Sequence, residues 1–271
     1  MPRRWQPESV RVLLPSAEAT SAASSVPSAS TSDADALLAS LYEAPREAHP
    51  DRPWLMGNMV AGLDGALTHD GRVGSLSSPA DRRLFVHLRG LADAVVVGAG
   101  TARAEGYGPV RLPDELSTAR RDAGRTAVPA VVVVSRSLDL DPAGRLFHGD
   151  VPTIVVTSSG SPPERRAALR AVADVIEVGD DAVDLAAGLR ALRERGVSLA
   201  LTEGGPTLLA ELVDVDLLDE LCLTLTPVLG GDPVTMAVPT LLSRPLTRWA
   251  LASAAEDDSE LYLRYTRGVR P

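Results

Sequence analysis

The residues most able to do chemistry lie at 199–210, Leu-Ala-Leu-Thr-Glu-Gly-Gly-Pro-Thr-Leu-Leu-Ala. A short apolar run ends in Glu203, then Gly204 and Gly205, then a helix opened by Pro206. Glycine lets a backbone come close to a ligand. Proline at a first helical position has no N–H to lose. The free N–H groups of Thr207 and Leu208 and the helix dipole would attract phosphate. A carboxylate at the strand end would lie beside that phosphate, where open α/β sheets bind ligands. An ordinary strand–turn–helix is the competing reading of these residues.

Three more strand ends carry similar chemistry. The run Val95 to Gly98, followed by Gly100 and Thr101, is half a dinucleotide fingerprint, but Arg103 stands where a third glycine belongs. It reads better as a tight turn bringing backbone to a ligand. Ala61-Gly-Leu-Asp-Gly65 places Asp64 among glycines, suited to proton transfer or a polar ring. A turn aspartate before glycine is the plainer alternative. Ser135 and Arg136 close a valine-rich strand. Guanidinium pairs bidentately with phosphate, so they suit the 2′-phosphate of NADP; a solvated loop arginine is the alternative.

The elements that must position these residues alternate in type. Strands are expected at 54–60, 94–97, 130–134, 153–157, 174–178 and 197–201. Helices are expected at 79–91 with Ser78 as cap, 163–172, 182–195 and 206–213. Such alternation predicts a mostly parallel sheet with helices on both faces. The runs 220–228, 249–254 and 261–266 follow without helices between them, which predicts antiparallel strands closing the sheet. Residues 1–32 are rich in Ser, Ala and Pro and read as a low-complexity arm with a short ordered piece at 10–14. A single domain over 33–271 is expected, beginning with a helix capped by Asp33.

Composition narrows the function. The chain has 271 residues, 45% of them hydrophobic, enough for a packed core. The net charge of −9 argues against nucleic acid or an anionic membrane as partner. Every cationic side chain is arginine, which excludes Schiff-base lysine chemistry and a lysine-dependent P-loop. One cysteine, Cys222, allows no internal disulfide, in keeping with a reducing cytoplasm, and its apolar neighbours make it a buried thiol. His49, His69, His87 and His148 are scattered, so no metal is expected. No signal-peptide core or membrane-length apolar run is present in the sequence.

Taken in order, Ala61–Gly65, Ser78-Pro79 with the helix to Arg89, 92–101, 202–208, Leu218-Asp-Glu-Leu221 and Thr226-Pro227 to Gly230-Gly231 resemble a known family. It is the C-terminal reductase domain of the bacterial bifunctional riboflavin-biosynthesis protein RibD, in the dihydrofolate-reductase-like superfamily. The resemblance covers about residues 50–268. It implies a three-layer dihydrofolate-reductase-like α/β fold and a cytoplasmic homodimer. It implies NADPH as cofactor and reduction of 5-amino-6-(5-phosphoribosylamino)uracil at the sugar carbon bonded to nitrogen. By this likeness Ala61, Gly98, Gly100, Thr101, Ser135, Arg136, Gly204, Gly205, Pro206, Thr207 and Leu208 meet the cofactor. Asp64 and Glu203 would be the catalytic carboxylates. Asn58, Arg89 and Arg111 would meet the substrate, Arg111 at its phosphate.

The sequence departs from the family at the loop after the cofactor turn. The usual Asp-Asp-Pro-x-Leu-Thr-Val-Arg is replaced by Glu105-Gly-Tyr-Gly-Pro-Val-Arg111, shorter and more flexible in its glycines. The zinc deaminase half, which needs His-x-Glu and Pro-Cys-x-x-Cys, is not in this sequence. A dihydrofolate reductase of the same fold and a non-catalytic nucleotide-binding protein are the alternative functions.

Overall fold

Valine-rich runs too short for helices make the centre of the sheet, and apolar helix stripes cover both its faces. The computed structural model describes residues 11–14, 31–46, 49–236 and 246–267. In chain order the elements begin with β1 (Arg11–Leu14), α1 (Thr31–Ser40), β2 (Trp54–Ala61), α2 (Pro79–Leu91), β3 (Ala94–Gly98), α3 (Ala99–Ala104) and α4 (Asp114–Asp122). They continue with β4 (Ala130–Val134), a 3-10 turn (Arg145–Phe147), β5 (Ile154–Thr157), α5 (Pro163–Arg170), β6 (Asp174–Glu177) and α6 (Leu185–Glu194). The last are β7 (Leu199–Thr202), α7 (Pro206–Asp214), β8 (Glu220–Leu225), β9 (Trp249–Asp257) and β10 (Glu260–Arg267).

All these strands form one sheet in the order β1-β9-β10-β8-β2-β7-β3-β4-β5-β6. From β8 to β6 every pairing is parallel; β10 and β9 add antiparallel strands at one side. β1 pairs antiparallel with β9. Alternation within a strand sorts side chains to opposite faces. Val96 packs with Leu189 and Leu192 of α6 and Leu208, Leu209 and Leu212 of α7. Its neighbours Val95 and Val97 pack on the other face with Ala99 and Ala102 of α3. On that side Leu84 and Leu88 of α2 and Leu38 of α1 join Met56, Leu201 and Cys222. Helix, sheet and helix thus make the expected three layers.

Two helices escape sequence reading for physical reasons. α3 spans six residues, too few for a period to register. α4, Asp-Glu-Leu-Ser-Thr-Ala-Arg-Arg-Asp, has no apolar stripe and buries Ser117 and Arg120 instead. Arg120 docks it by donating to Gly90 O at 2.9 Å and to Ala92 O. Burial pulls that guanidinium down to about 10. The helix predicted from 182 starts at Leu185, because the Asp184 side chain accepts from Ala187 N at 2.8 Å and caps it there. α1 starts at Thr31, ahead of the predicted Asp33 cap. α5 ends at Arg170, two residues short of the predicted end. Arg11–Leu14 falls in the ordered piece expected ahead of the arm. Residues 15–30 of the arm lie outside the described residues.

Candidate active site

Because β2, β7, β3, β4 and β5 are parallel, their carboxyl ends share one edge of the sheet. At the centre of that edge, Glu203 N still bonds Val96 O at 3.2 Å, and the chain then turns sharply. Gly204 takes φ 101°, open to glycine and strained for other residues. Gly205 caps α7 and donates its N–H to Thr101 Oγ1 at 3.0 Å. A Cβ on Gly205 would lie 2.5 Å from that oxygen, so only glycine fits against Thr101. Two turns, after β3 and after β7, are thereby locked together.

The Glu203 side chain is 1% exposed and turns away from α7. Its two oxygens accept from Arg89 Nε and Nη2, both at 2.6 Å, and Oε2 also accepts from Tyr107 Oη at 2.8 Å. The Arg89 guanidinium carbon lies 4.1 Å from the Phe85 ring centroid and 6.0 Å from that of Tyr107. A flat wall results: guanidinium bordered by two rings and pinned from behind by a carboxylate. Burial pulls the Arg89 pKa down, but the Glu203 bond and charge outweigh it and leave it raised. Burial, then the Glu203 charge, push the Tyr107 hydroxyl well above its ordinary value, so it stays protonated and donates.

This wall faces a cavity of about 590 Å³ lined also by Asn58, Thr68, Arg82, Arg111, Arg145 and Gly204. A groove of about 820 Å³ runs along the other side of the turn, past Gly98, Gly100, Arg136, Thr207 and Leu208. Cavity and groove share Thr101, Ala104, Gly205 and Pro206. Arg136 is exposed and Gly100 has open space before it. An open groove, an α7 start with no side-chain cap and an exposed arginine at its rim fit an elongated phosphate-bearing cofactor.

Several sequence-predicted residues fall elsewhere. Asp64 lines neither space. It is a fully exposed turn residue: Oδ1 accepts from Ala66 N at 3.1 Å, and Oδ2 from Gly230 N at 2.7 Å and Gly231 N at 3.4 Å. The Gly230 N–H first, then that of Ala66, hold its carboxyl below the ordinary value. This is the geometry of the plainer reading, a turn aspartate. Ser135 is buried, with its hydroxyl accepting from Leu138 N at 2.9 Å, so it braces the loop rather than facing the groove. Ala61 is buried at the end of β2 and lines neither space. Glu203 lines the cavity, with both oxygens committed to Arg89 and one also to Tyr107. The loop 105–111 is less free than its glycines implied: Tyr107 N bonds Ala102 O at 2.8 Å and Val110 is buried.

Sequence reasoning missed Tyr107, Phe85, Asp81 and Arg145. Tyr107 had a signal: aromatic residues are 3% of the chain, and one stands between two glycines in the departing loop. Asp81, in the first turn of α2, is buried at the cavity floor and accepts from Ser77 Oγ at 2.5 Å and Thr224 Oγ1 at 2.7 Å. A first-turn acid reads as ordinary helix chemistry, so nothing in the sequence singled it out.

The site is thus that of an α/β protein with two adjoining spaces over one glycine turn at the carboxyl edge of a parallel sheet. The chain belongs to the RibD C-terminal domain family, whose model matches residues 53–263. It is 31% identical over 181 residues to the 2,5-diamino-6-ribosylamino-4(3H)-pyrimidinone 5′-phosphate reductase of Archaeoglobus fulgidus, covering 66% of this chain and 83% of that protein. The reductase of the same name from Methanothermobacter thermautotrophicus is 31% identical over 180 residues, 66% of this chain and 80% of that one. The crystal structure of a pyrimidine reductase-like protein from Corynebacterium diphtheriae superposes with a TM-score of 0.72 at 29% identity, covering 82% of this chain and 94% of that one. The chain is an oxidoreductase of this family.

Proposed function

We propose that this chain reduces a phosphoribosylamino-pyrimidine with NADPH in riboflavin biosynthesis, as a cytoplasmic homodimer. Its substrate is 2,5-diamino-6-ribosylamino-4(3H)-pyrimidinone 5′-phosphate or the corresponding uracil, 5-amino-6-(5-phosphoribosylamino)uracil. The two differ in carrying an amino group or a carbonyl at one ring carbon. The observation that carries the reading is the junction: the cavity and the groove share Thr101, Gly205 and Pro206. Two ligands bound there would meet where Thr101 packs on Gly205. The names of the relatives support the substrate class.

Bound NADPH would supply a hydride. With the sugar ring opened, the carbon bonded to nitrogen is an imine carbon; hydride adds to it, a proton adds to the nitrogen, and a ribitylamine results. Gly204 to Leu208 would hold the cofactor pyrophosphate on backbone N–H groups, and Arg136 the 2′-phosphate. The Arg89 plane and its flanking rings would take the flat pyrimidine, held in place by Glu203 and Tyr107. A preset wall orients the imine carbon at no cost during reaction. The test is NADPH oxidation by purified protein offered the diaminopyrimidinone phosphate, the uracil and dihydrofolate in turn. Turnover of either ribosyl phosphate is expected; turnover of dihydrofolate alone would refute the proposal.

A further inference from the structure

Arg111 leaves the cavity wall at a second opening, a space of about 420 Å³ bounded by Val128, His148 and Thr153. Two charged residues line both spaces, Arg111 and Arg145. Both are exposed, and neither side chain has a hydrogen bond or ion pair among the described residues. The other arginines of the cavity are engaged: Arg89 with Glu203 and Arg82 with Ser77 O at 2.8 Å.

The two free arginines project from segments that are firmly placed. Val110 and Leu146, their chain neighbours, are buried in one apolar cluster with Val95 and Val131. Thr153 Oγ1 donates to Leu146 O at 2.7 Å and fixes the Arg145 turn. The segments touch again where a Cβ on Gly149 would lie 2.9 Å from Pro109 Cβ. Gly108 makes room for Arg145 itself: a Cβ there would lie 2.7 Å from Nε and 3.3 Å from Cζ and Nη2. Gly108 thus leaves room for a guanidinium that has no partner among the described residues. Two like charges on adjoining segments repel, and a dianion between them reverses that sign. Guanidinium forks match phosphate oxygens bidentately.

We propose that Arg145 joins Arg111 as the second guanidinium of a phosphate-monoester site at the junction of these two spaces, seated there by Gly108. The ligand is the 5′-phosphate of the ribosyl substrate, so the site rests on the reductase reading above. The cofactor groove includes neither arginine and has its own cation in Arg136, which separates this phosphate from those of the cofactor.

The test compares wild type, Arg145→Ala and Gly108→Ala in two measurements. In steady-state kinetics, Arg145→Ala is expected to raise KM for the phosphorylated substrate roughly 10- to 100-fold, the scale of a lost charged hydrogen bond, with KM for NADPH unmoved. Gly108→Ala, which displaces the guanidinium while keeping its charge, should shift the same constant in the same direction. In calorimetry without cofactor, ribose 5-phosphate should bind wild type and lose affinity by a similar factor in Arg145→Ala. Wild-type values for Arg145→Ala in both measurements would overturn the proposal, as would a rise confined to KM for NADPH. Arg145-dependent binding of ribose 5-phosphate by a protein that reduces neither ribosyl phosphate would uphold the site and defeat the reductase reading.

Discussion

Asp64 and Glu203 follow neighbouring parallel strands, β2 and β7, and both stand beside glycine. Their fates are opposite. Asp64 is fully exposed and bonds only backbone N–H groups, tying the loop after β2 to the loop after β8. Glu203 is buried and bonds side chains, Arg89 and Tyr107, from two other elements. An acid among glycines at a strand end is thus not one device but two. What differs is what the rest of the chain brings: helix α2 delivers an arginine to β7, whereas the loop at Gly230 delivers bare amides to Asp64. Glu203 builds the wall of the ligand cavity; Asp64 builds the loop beside it.

The largest effect expected from this contrast is on stability. Glu203→Ala leaves a largely desolvated Arg89 without its counter-charge and should lower the unfolding free energy by about 2 kcal/mol, read from urea denaturation. A loss no larger than that of Asp64→Ala would erase the distinction. Next is the groove side of the same turn. Gly205→Ala puts a Cβ at 2.5 Å from Thr101 Oγ1 and should raise KM for NADPH roughly tenfold or more. Adding Thr101→Ala should restore part of it; no restoration would mean the clash is not the cause. Arg136→Ala should narrow the preference for NADPH over NADH by roughly tenfold, and an unchanged ratio would remove Arg136 from the groove.

The smallest effect is one of pH. The folded state holds the Asp64 carboxyl below its ordinary value. What Asp64 contributes is therefore complete above the unfolded value, about 3.9, and is lost as pH falls through the lowered folded value. Asp232 behaves alike: the Gly71 N–H first, then Thr68, hold it down. Protection of the Gly230 amide from exchange, relative to its intrinsic rate at each pH, should persist through mildly acidic pH in wild type and be lost in Asp64→Ala. A transition well above pH 4 would contradict the assignment.

Much of the fold was legible in the sequence because its local signals agree. Ser78, Pro79 and an apolar face bound α2 at both ends, and valine runs bound β3 and β4. The strand-end motifs fall on one edge of the sheet, and Gly205, Thr101 and Arg136 line one groove there. The rest depended on contacts distant in sequence. Asp64 and Asp81 carry the same carboxylate, and only the fold decides that Asp81 floors the cavity while Asp64 pins a turn. Ser135 precedes Arg136, yet in the bend just past β4 one is buried and the other exposed. Tyr107 reaches Glu203 across 96 positions, beyond any local period.

The most direct test is steady-state kinetics of Glu203→Gln and Asp64→Asn side by side, with NADPH and the ribosylaminopyrimidinone phosphate. Glutamine keeps the shape of Glu203 but not its charge on Arg89. The expected result is a kcat/KM lower by roughly 30-fold or more in Glu203→Gln, with NADPH binding intact, and a loss below tenfold in Asp64→Asn. Abolished turnover in a fully folded Asp64→Asn, beside a near-normal Glu203→Gln, would contradict the account and return the chemistry to Asp64.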